Sequence, residues 1–417
     1  MKLLCLSNGH GEDAIAVRIL QQLQRLPNPP QFAALPLVGD GIAYHQLENV
    51  TIAGPVQQMP SGGFIYMDGR QLLRDVQGGL LQLTHIQFKI IRNWAKQGAF
   101  ILAVGDIVPL LFARLSGADY AFVGTAKSEY YLRDEQGPLS RQSWMQRWEG
   151  WSGSVYLPWE RWLMSHPHCK AVFPRDRLTT ETLLKWSIPA YDLGNPMMDD
   201  LQPQTPPISK SNETLTIALL PGSRPPEAYE NWQRITEAVT ELVEAFSGGK
   251  DRQQPANLVF LAAIAPSLKN TPFGEGLSGL GWEKTGVQSD LEVEYTRKNA
   301  TMILTQRFSD CLHQADLAIA MAGTATEQFV GLGKPAIALE GQGPQFTPRF
   351  AEAQSRLLGP SLILVKHPSD IPHTVRSLLS DQNRLKLIAE NGQKRMGQPG
   401  AANRIAQCLM KQLNEFA

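Results

Sequence analysis

The feature that most constrains this chain is an alternation of short apolar runs with amphipathic helical segments, which occurs in two sets. KLLCLS, QFAALPLVG, AFILAVGD and DYAFVGT are typical of buried strands, and segments such as EDAIAVRILQQLQRL and IVPLLFARLSG between them have helical periodicity. The second set repeats this alternation of strands and helices, with the apolar runs LTIALLPGS, NLVFLAAIA, ADLAIAMAG and KPAIALEG. The pattern predicts an α/β chain in which helices cover both faces of parallel sheets.

A stretch rich in Pro, Ser and Asn, LGNPMMDDLQPQTPPISKSNE, separates the two sets and is typical of a linker. A chain of 417 residues is too long for one core. We predict a Rossmann-like, doubly wound domain over residues 1–195, which a C-terminal helix at about 395–417 completes, and a second over 196–394. Ligands of such sheets bind beyond the carboxyl ends of the strands, so the cleft between the domains is the expected active site.

Composition and charge exclude several classes of function. The 39 Lys and Arg residues balance 39 Asp and Glu residues, so no basic surface for a nucleic acid is expected. The apolar stretch in MKLLCLSNGHGED is too short for a secretory signal. No uninterrupted apolar run reaches the roughly 20 residues of a membrane span. The cysteines form no CxxC pair, which favours a cytoplasmic protein with reduced thiols.

The loop SNGHGED follows the first predicted strand. Gly9 and Gly11 allow the backbone to turn tightly and approach a ligand, and the helix that follows offers its first amides to an anion. His10 is either a catalytic base or a loop histidine that only forms hydrogen bonds. The dinucleotide fingerprint is incomplete and no P-loop lysine is present. Glu12 and Asp13 complete the candidate loop.

AVGDIVPLL places Asp106 at the end of another predicted strand, directly after Gly105. A carboxylate at this position is poised at the expected cleft, where partial desolvation could tune it as a general base. The alternative is an N-cap for the helix that begins near Ile107, a position that Asp favours. The residues alone leave both roles open.

MAGTATEQFVGLGKP is the first of two loops in the second half that suit a diphosphate. A buried strand ends here, and small residues then open a helix whose amides and hydroxyls can bind phosphate. Glu327 or Gln328, in the first turn, could reach the diol of a ribose; a simple helix cap is the alternative. The candidate residues are Gly323, Thr324, Ala325, Thr326, Glu327 and Gln328.

LLPGSRPPE is the second of these loops. Gly222 and Ser223 can present an amide and a hydroxyl to phosphate. Arg224 can pair with a phosphate or offset the charge of a departing diphosphate. An arginine that forms a salt bridge between domains is the alternative.

Together these loops resemble lipid-A-disaccharide synthase, a family of GT-B glycosyltransferases. LLPGSRPPE fits the family's LPGSR followed closely by Glu, and AGTATEQFVGLGKP is similar to its SGTATLE…GKP. LGNPMMD is similar to its GHPLxD segment, Gly105–Asp106 to its acidic GxD strand end, and AVFPRD to its CIFPFE. The similarity covers both halves in the same order, and it is closer in the second half than in the first 160 residues.

The resemblance implies a GT-B fold and a metal-independent, inverting transfer of a sugar from a UDP-sugar to the hydroxyl of an acceptor. The second domain would bind UDP, with Arg224 and the amides of Gly222–Ser223 and Gly323–Thr326 on the diphosphate. Asp106 would be the base, and the loop after the first strand leaves His10 as a further candidate from the residues alone. No cofactor or metal is expected besides the UDP-sugar donor.

The chain departs from the family at several positions. The ribose-binding Glu of the family falls on Gln328, with Glu327 one residue early. The family's GIDAPDFN corresponds to AVGDIVPLL in this chain, which lacks the second Asp and the Asn. The family's GExSGD corresponds to SNGHGED, which keeps the Asp as Asp13. The acceptor half has diverged, so the resemblance does not imply that this chain uses the family's acylated glucosamine phosphate acceptor.

Five of the nine tryptophans lie between Trp144 and Trp162, and Arg141, Arg147 and Arg161 are interleaved with them. Trp and Arg at this density suit a bilayer interface, which also suits a lipid-like acceptor. The alternatives are a packed aromatic excursion over the cleft and a homodimer contact.

The sequence therefore leaves three functions open. The first is a UDP-sugar-dependent glycosyltransferase with a lipid-like acceptor and peripheral membrane contact. The second is an epimerase of the UDP-N-acetylglucosamine 2-epimerase type, which needs further carboxylates and a histidine around the donor sugar. The third is a GT-B protein that has lost catalysis and binds a nucleotide-sugar or a lipid.

Overall fold

The computed structural model describes residues 1–56, 80–140, 150–206, 213–247, 255–289, 292–341, 343 and 345–415. The chain divides into two compact units, Met1–Asp199 with Gly397–Ala417, and Asp200–Met396. The division falls a few residues after the positions 195 and 394 that were expected from the sequence. Each unit contains its own sheet with helices on it, so the predicted α/β fold is confirmed.

Within the described residues, six strands form the sheet of the first unit, in the order β3-β2-β1-β4-β5-β8, and all neighbours are parallel. All of these strands except the short β3 at the edge are buried along most of their length, as the apolar runs predict. They are β1 (Lys2–Ser7), β2 (Gln31–Pro36), β3 (Val50–Ile52), β4 (Ala99–Gly105), β5 (Tyr120–Gly124) and β8 (Cys169–Phe173); β6 (Arg133–Asp134) and β7 (Gly137–Pro138) form a separate ribbon. The helices are α1 (His10–Gln24), α2 (Leu80–Lys96), α3 (Ile107–Ser116), α4 (Pro158–Met164) and α5 (Arg177–Leu184).

The sheet of the second unit has eight strands in the described ranges, in the order β11-β12-β13-β10-β9-β14-β15-β16. They are β9 (Thr214–Leu220), β10 (Asn257–Ala263), β11 (Glu283–Ser289), β12 (Glu292–Arg297), β13 (Ala300–Thr305), β14 (Leu317–Ala320), β15 (Ala336–Leu339) and β16 (Leu362–Val365). The strands from β13 to β16 are parallel, whereas β11 and β12 add an antiparallel edge. The links between β11, β12 and β13 are too short for a crossover helix, so these strands pair antiparallel, which the prediction of a parallel sheet missed.

The helices of the second unit alternate with these strands. They are α6 (Glu227–Ser247), α7 (Thr271–Gly279), α8 (Phe308–Gln314), α9 (Thr324–Gly331), α10 (Pro348–Leu358), α11 (Ile371–Ser380) and α12 (Gln382–Met396). Among the residues described in either unit, no helix is both long and apolar enough to cross a membrane.

The last helix, α13 (Ala401–Glu415), belongs to the first unit. Its Ile405 and Leu409 share a core with Ile15 and Ile19 of α1. Asp199 holds the start of α13, because its carboxylate accepts hydrogen bonds from the backbone N–H groups of residues 400, 401 and 402 at 2.6, 3.1 and 2.7 Å. The chain therefore returns from the second unit to complete the first.

Among its parallel strands, each sheet reverses its strand order at one point. In the first unit the reversal lies between β1 and β4, and in the second it lies between β9 and β14. Loops on the two sides of such a point diverge, which leaves a crevice at the carboxyl ends of the strands where ligands of doubly wound sheets bind. The candidate residues of the sequence lie in the loops and first helical turns at these two switch points.

Candidate functional site

The switch point of the second unit brings together the two loops that the sequence singled out for a diphosphate. The amide of Asn231 in α6 donates hydrogen bonds to Pro221 O at 3.0 Å and to Met321 O at 3.2 Å. One buried side chain thus holds the end of β9 beside the end of β14. Gly222 has a φ of 100°, and a Cβ on it would lie 3.6 Å from Met321 O. Only glycine adopts this turn without strain.

The turn after β14 presents the first amides of α9. Its N-cap is Gly323, which carries no side chain to occupy these N–H groups, and the helix starts at the exposed Thr324. Gln354 of α10 fixes the turn from the opposite side, because its Nε2 donates to Ala322 O at 3.2 Å and to Gly323 O at 3.1 Å. A helix start of this kind, with small residues and open amides, suits a phosphate group.

The remaining candidates on α9 are less accessible. Thr326 is fully buried and its hydroxyl donates to Ala322 O at 2.6 Å, so the hydroxyl that this turn exposes is that of Thr324. Ala325 is half-buried. Glu327 and Gln328 are both buried in the first turn of the helix. Their contact with a ribose stays a prediction, and it requires these side chains to reach out of the positions that they occupy here.

Ser223 and Arg224 form the tip of the loop after β9. Ser223 is exposed and its carbonyl accepts a hydrogen bond from Ser267 at 3.2 Å, whereas Arg224 is half-buried. The Glu that follows this motif has a role that the sequence did not indicate. Glu227 is buried and accepts from the N–H groups of Gln345 and Phe346 at 3.1 and 2.6 Å. It therefore ties the loop after β15 to the start of α6.

Asn231 and Gln354 were also missed. In α6 the buried positions include Ala228, Asn231, Trp232 and Ile235, so Asn231 occupies the apolar stripe of an amphipathic helix. A polar side chain on such a stripe is buried and needs a hydrogen-bond partner. The sequence pattern therefore contains a signal that Asn231 forms a buried hydrogen bond. Its partners could not be named, because Met321 lies 90 residues away along the chain.

The switch point of the first unit joins the loops after β1 and β4. The amide of Asn8 donates to the two carboxylate oxygens of Asp106 at 3.1 and 3.0 Å. Asp106 is also the N-cap of α3, since its Oδ1 accepts from Val108 N at 2.9 Å. The carboxylate thus has the capping role that was left open as the alternative, and burial raises its pKa while the N–H of Val108 and the amide of Asn8 act in the opposite direction.

Helix α1 begins earlier than the sequence pattern predicts, at His10. Gly9 has a φ of 126° and forms the turn, as expected of a glycine at this point. Gly11 lies inside the helix with open space around it, and His10 is exposed at its start. The first turn of α1 carries Glu12 and Asp13, so the helix start that was expected to receive an anion is already complemented by two acidic side chains.

Glu12 lies against the end of β4. Its Cγ would be 3.1 Å from a Cβ on Gly105, so a larger residue at position 105 would displace it. Thr125, after β5, donates to Glu12 Oε1 at 3.4 Å. Burial, together with the negative charges of Asp106 and Asp13, raises the pKa of Glu12 to about 7. A carboxyl group with such a pKa can accept a proton near neutral pH.

Asp13 has a different environment. It is buried, and its carboxylate accepts a hydrogen bond from Ser7 at 2.5 Å, while the same hydroxyl lies 2.6 Å from that of Tyr44. Burial raises the pKa of Asp13 to about 6. These contacts fix the start of α1 to the end of β1, which gives Asp13 a structural part in the loop.

Cations near this edge are engaged in ion pairs or backbone contacts. Lys127 forms an ion pair with the buried Glu160 at 2.5 Å, and Arg175 donates to Thr125 O at 3.3 Å. The first switch point therefore presents mainly carboxyl groups. In the part of the chain that is described, no group of three or more His, Cys, Asp or Glu side chains has the arrangement of a metal site.

The tryptophan-rich stretch is described only in part. Trp144, Arg141 and Arg147 lie outside the described residues. Trp151, Trp159 and Trp162 are all exposed on the first unit. Arg161 lies over the ring of Trp186, with its Cζ 4.0 Å from the ring centroid. The tryptophans of this stretch that are described thus face solvent, whereas Tyr156 between them is buried.

Solved structures with the same fold cover nearly all of the chain. One is a UDP-GlcNAc 2-epimerase from Neisseria meningitidis bound to UDP-GlcNAc, with 13% identity, a TM-score of 0.51, and coverage of 99% of this chain and 100% of that chain. CalG4, the calicheamicin glycosyltransferase, has 11% identity, a TM-score of 0.60, and coverage of 100% and 99%. MurG from Acinetobacter baumannii has 14% identity, a TM-score of 0.56, and coverage of 98% and 99%.

These likenesses show that the chain has a GT-B fold, as the sequence predicted. A comparison with profiles of known protein families gives no match, and a sequence comparison with curated proteins gives none either. The resemblance to lipid-A-disaccharide synthase therefore rests on the motifs alone.

Proposed function

We propose that this chain is a glycosyltransferase that moves a sugar from a UDP-sugar to a hydroxyl group of a lipid-like acceptor. The observation that carries the proposal is the pairing of two glycine turns at one switch point, which Asn231 holds together. A diphosphate needs amides from more than one turn and a positive charge, and Gly222–Arg224 and Gly323–Thr324 together supply both. The similar structures that bind or transfer sugars support the choice of a nucleotide-sugar.

In this proposal the second unit holds the donor. The amides at the start of α9 and after Gly222 bind the two phosphates, and the hydroxyls of Ser223 and Thr324 add donors at the exposed edge. Arg224 offsets the charge that develops on UDP as it leaves. Glu227 and Gln354 act on the loop backbones, so they position the site without contact to the ligand.

The first unit supplies the base. Glu12 takes the proton of the acceptor hydroxyl as its oxygen attacks the anomeric carbon of the sugar. The bond from that carbon to UDP breaks at the same time, and UDP leaves with the electron pair. We assign the base to Glu12 ahead of Asp106. Asp106 is engaged with Asn8 and caps α3 through Val108, whereas Glu12 accepts a long hydrogen bond from Thr125 and one from its own backbone N–H, and burial raises its pKa to about 7.

The lipid-like acceptor follows from the exposed tryptophans and from the resemblance. The acidic edge around Glu12 and Asp106 disfavours a phosphorylated group next to the reacting hydroxyl, because like charges repel at short range. This agrees with the divergence of SNGHGED and AVGDIVPLL from the family's acceptor motifs.

An epimerase is the second candidate, and the likeness to UDP-GlcNAc 2-epimerases over the full chain favours it. The two reactions differ in what they consume. An epimerase changes UDP-N-acetylglucosamine without any acceptor, whereas a transferase releases UDP only when an acceptor hydroxyl is present. A protein without catalysis binds UDP and does neither.

The test combines calorimetric titration with a UDP-release assay. UDP and UDP-N-acetylglucosamine, UDP-glucose and UDP-galactose are titrated first. UDP release is then measured with and without a total lipid extract from cells that lack the protein, and products are identified by mass spectrometry. Release that depends on the extract, with a new glycolipid, is the expected result. Epimerised nucleotide without extract would replace the proposal with the second candidate, and absence of UDP binding would overturn both.

A further inference from the structure

The first unit exposes a group of large apolar side chains on three neighbouring elements. Trp151, Trp159 and Trp162 are 58%, 51% and 61% exposed. Leu111 and Leu115 project from one side of α3, and Leu184 and Trp186 lie at the end of α5. We call these residues, Leu111, Leu115, Trp151, Trp159, Trp162, Leu184 and Trp186, the tryptophan face.

Contacts between the elements show that the tryptophan face is continuous. Arg114 of α3 lies over the ring of Trp162 of α4, 5.6 Å from the centroid. Arg161 of α4 lies over Trp186, and a Cβ on Gly153 would be 3.9 Å from the same ring. The guanidinium of Arg161 also donates to Ser152 O at 3.0 Å, which joins the loop of Trp151 to α4.

Burial within the unit does not account for these side chains. In α4 the face toward the core is formed by Leu163 and Met164, both buried, while Trp159 and Trp162 project from the other side. Large apolar side chains exposed singly are common, but several on one surface mark a site of interaction. The three exposed tryptophans favour a lipid bilayer as the partner, since indole rings prefer the boundary between water and hydrocarbon.

The charges around the tryptophan face are mainly positive. Arg114 and Arg161 stack on its rings, and the exposed Lys185 lies between Leu184 and Trp186. The acidic groups nearby have partners: Asp119 pairs with His168 and Lys170, and Glu181 pairs with Arg177. Guanidinium groups next to indole rings suit the phosphate layer of an anionic membrane.

We propose that the tryptophan face docks the first unit on the surface of an anionic lipid bilayer, with the indole rings at the depth of the headgroups. The inference deepens the proposed function, which includes a lipid-like acceptor. It names the surface by which the protein would meet the membrane that contains this acceptor. The attachment is peripheral, and salt weakens the part that Arg114, Arg161 and Lys185 contribute.

The test is cosedimentation of the full chain with vesicles of phosphatidylcholine alone and with phosphatidylglycerol added, in the absence of any nucleotide. Wild type should bind the anionic vesicles, and its tryptophan emission should shift to the blue. Trp159→Ser with Trp162→Ser should weaken binding by about tenfold or more, since each substitution removes an exposed apolar area that docking on the bilayer would bury. Arg114→Gln with Arg161→Gln should weaken binding to the anionic vesicles and remove most of its salt dependence.

Leu387→Ser is the matched control, because Leu387 is an apolar residue of similar exposure on α12 in the second unit. Circular dichroism and UDP titration on every variant separate local effects from misfolding. Absence of vesicle binding, or tryptophan variants that bind like wild type, would overturn the proposal. So would a dimer in sedimentation velocity that Trp162→Ser dissociates while vesicles bind nothing. Failure of UDP binding with vesicle binding intact would instead overturn the proposed function and leave this inference standing.

Discussion

In the first unit the helix after β1 begins with Glu12 and Asp13 in its first turn, whereas in the second unit the helix after β14 begins with Gly323 and small residues. Both helices start at the switch point of a parallel sheet. The first turn of α1 carries two carboxyl groups, whereas that of α9 carries one, the buried Glu327, and its exposed start has the small residues Gly323 and Thr324. In the proposed function, the same topology therefore provides a base in one unit and an anion site in the other.

The loops differ in the same sense in how they are held. In the first unit Asn8 links β1 and β4 through the carboxylate of Asp106, so the linking hydrogen bonds end on a charged group. In the second unit Asn231 links β9 and β14 through two backbone carbonyls. The link between the strand ends thus uses a carboxylate at the first switch point and only neutral groups at the second.

The largest effect is expected from Glu12→Gln, which removes the base and retains the size of the side chain. General-base catalysis contributes about 10²–10⁴ in rate, so extract-dependent UDP release should fall by that factor. UDP affinity by calorimetry should stay unchanged, because Glu12 belongs to the first unit. Glu181→Gln, an exposed glutamate of the same unit, is the control. Near-normal turnover in Glu12→Gln would show that Glu12 is not the base, so the first switch point would no longer differ from the second in this respect.

Arg224→Ala tests the second switch point. A hydrogen bond to a charged group contributes about 1.5–3 kcal/mol, so UDP affinity should fall roughly 10- to 150-fold. Arg224→Lys should recover part of the loss, because Lys keeps the charge without the fork of donors. Lys386→Ala, which removes an exposed cation of α12, should bind UDP as wild type does. Equal affinities in all three variants would show that the loop after β9 does not bind phosphate.

Asn231→Ala tests whether the two loops must be held together. Pro221 O and Met321 O would lose a buried donor, which costs about 1–3 kcal/mol of stability. UDP affinity should fall as well, because the two turns are no longer fixed relative to each other. Thr240→Ala is the control, since Thr240 bonds a carbonyl within the same helix far from the loops. A variant that loses stability in urea but binds UDP normally would restrict Asn231 to a structural role.

Much of this architecture could be predicted from the sequence, because buried parallel strands and amphipathic helices have strong patterns. Strand β1 is KLLCLS, β4 is AFILAVG and β9 contains LTIALL, and Gly222 and Gly323 of the two diphosphate loops follow the ends of β9 and β14, as predicted. The antiparallel strands β11 and β12 were missed, since EKTGVQS and EVEYTR are too polar to match the pattern of a buried strand.

The internal contacts of the site could not be predicted in the same way. Asn8 and Asp106 are 98 residues apart, and their hydrogen bond depends on the pairing of β1 with β4, which a single sequence does not specify. The assignment of the base depended on the same contact. Asp106 is conspicuous in the sequence because Gly105 precedes it at a strand end, whereas the role proposed for Glu12 depends on its burial beside Gly105 and Thr125.

The smallest effect is expected from Asp106→Asn, and it separates the two carboxyl groups. The negative charge of Asp106 helps to raise the pKa of Glu12 to about 7, so turnover of the wild type should rise with pH around that value as Glu12 loses its proton. Asn can still accept from Val108 N and cap α3, but it carries no charge. Its introduction should lower the pKa of Glu12 and move the rising part of the pH profile to lower pH, with the plateau changed little. The measurement is extract-dependent UDP release between pH 5 and 9. Loss of turnover at every pH in Asp106→Asn, with Glu12→Gln still active, would assign the proton to Asp106 and make Glu12 the residue that tunes it.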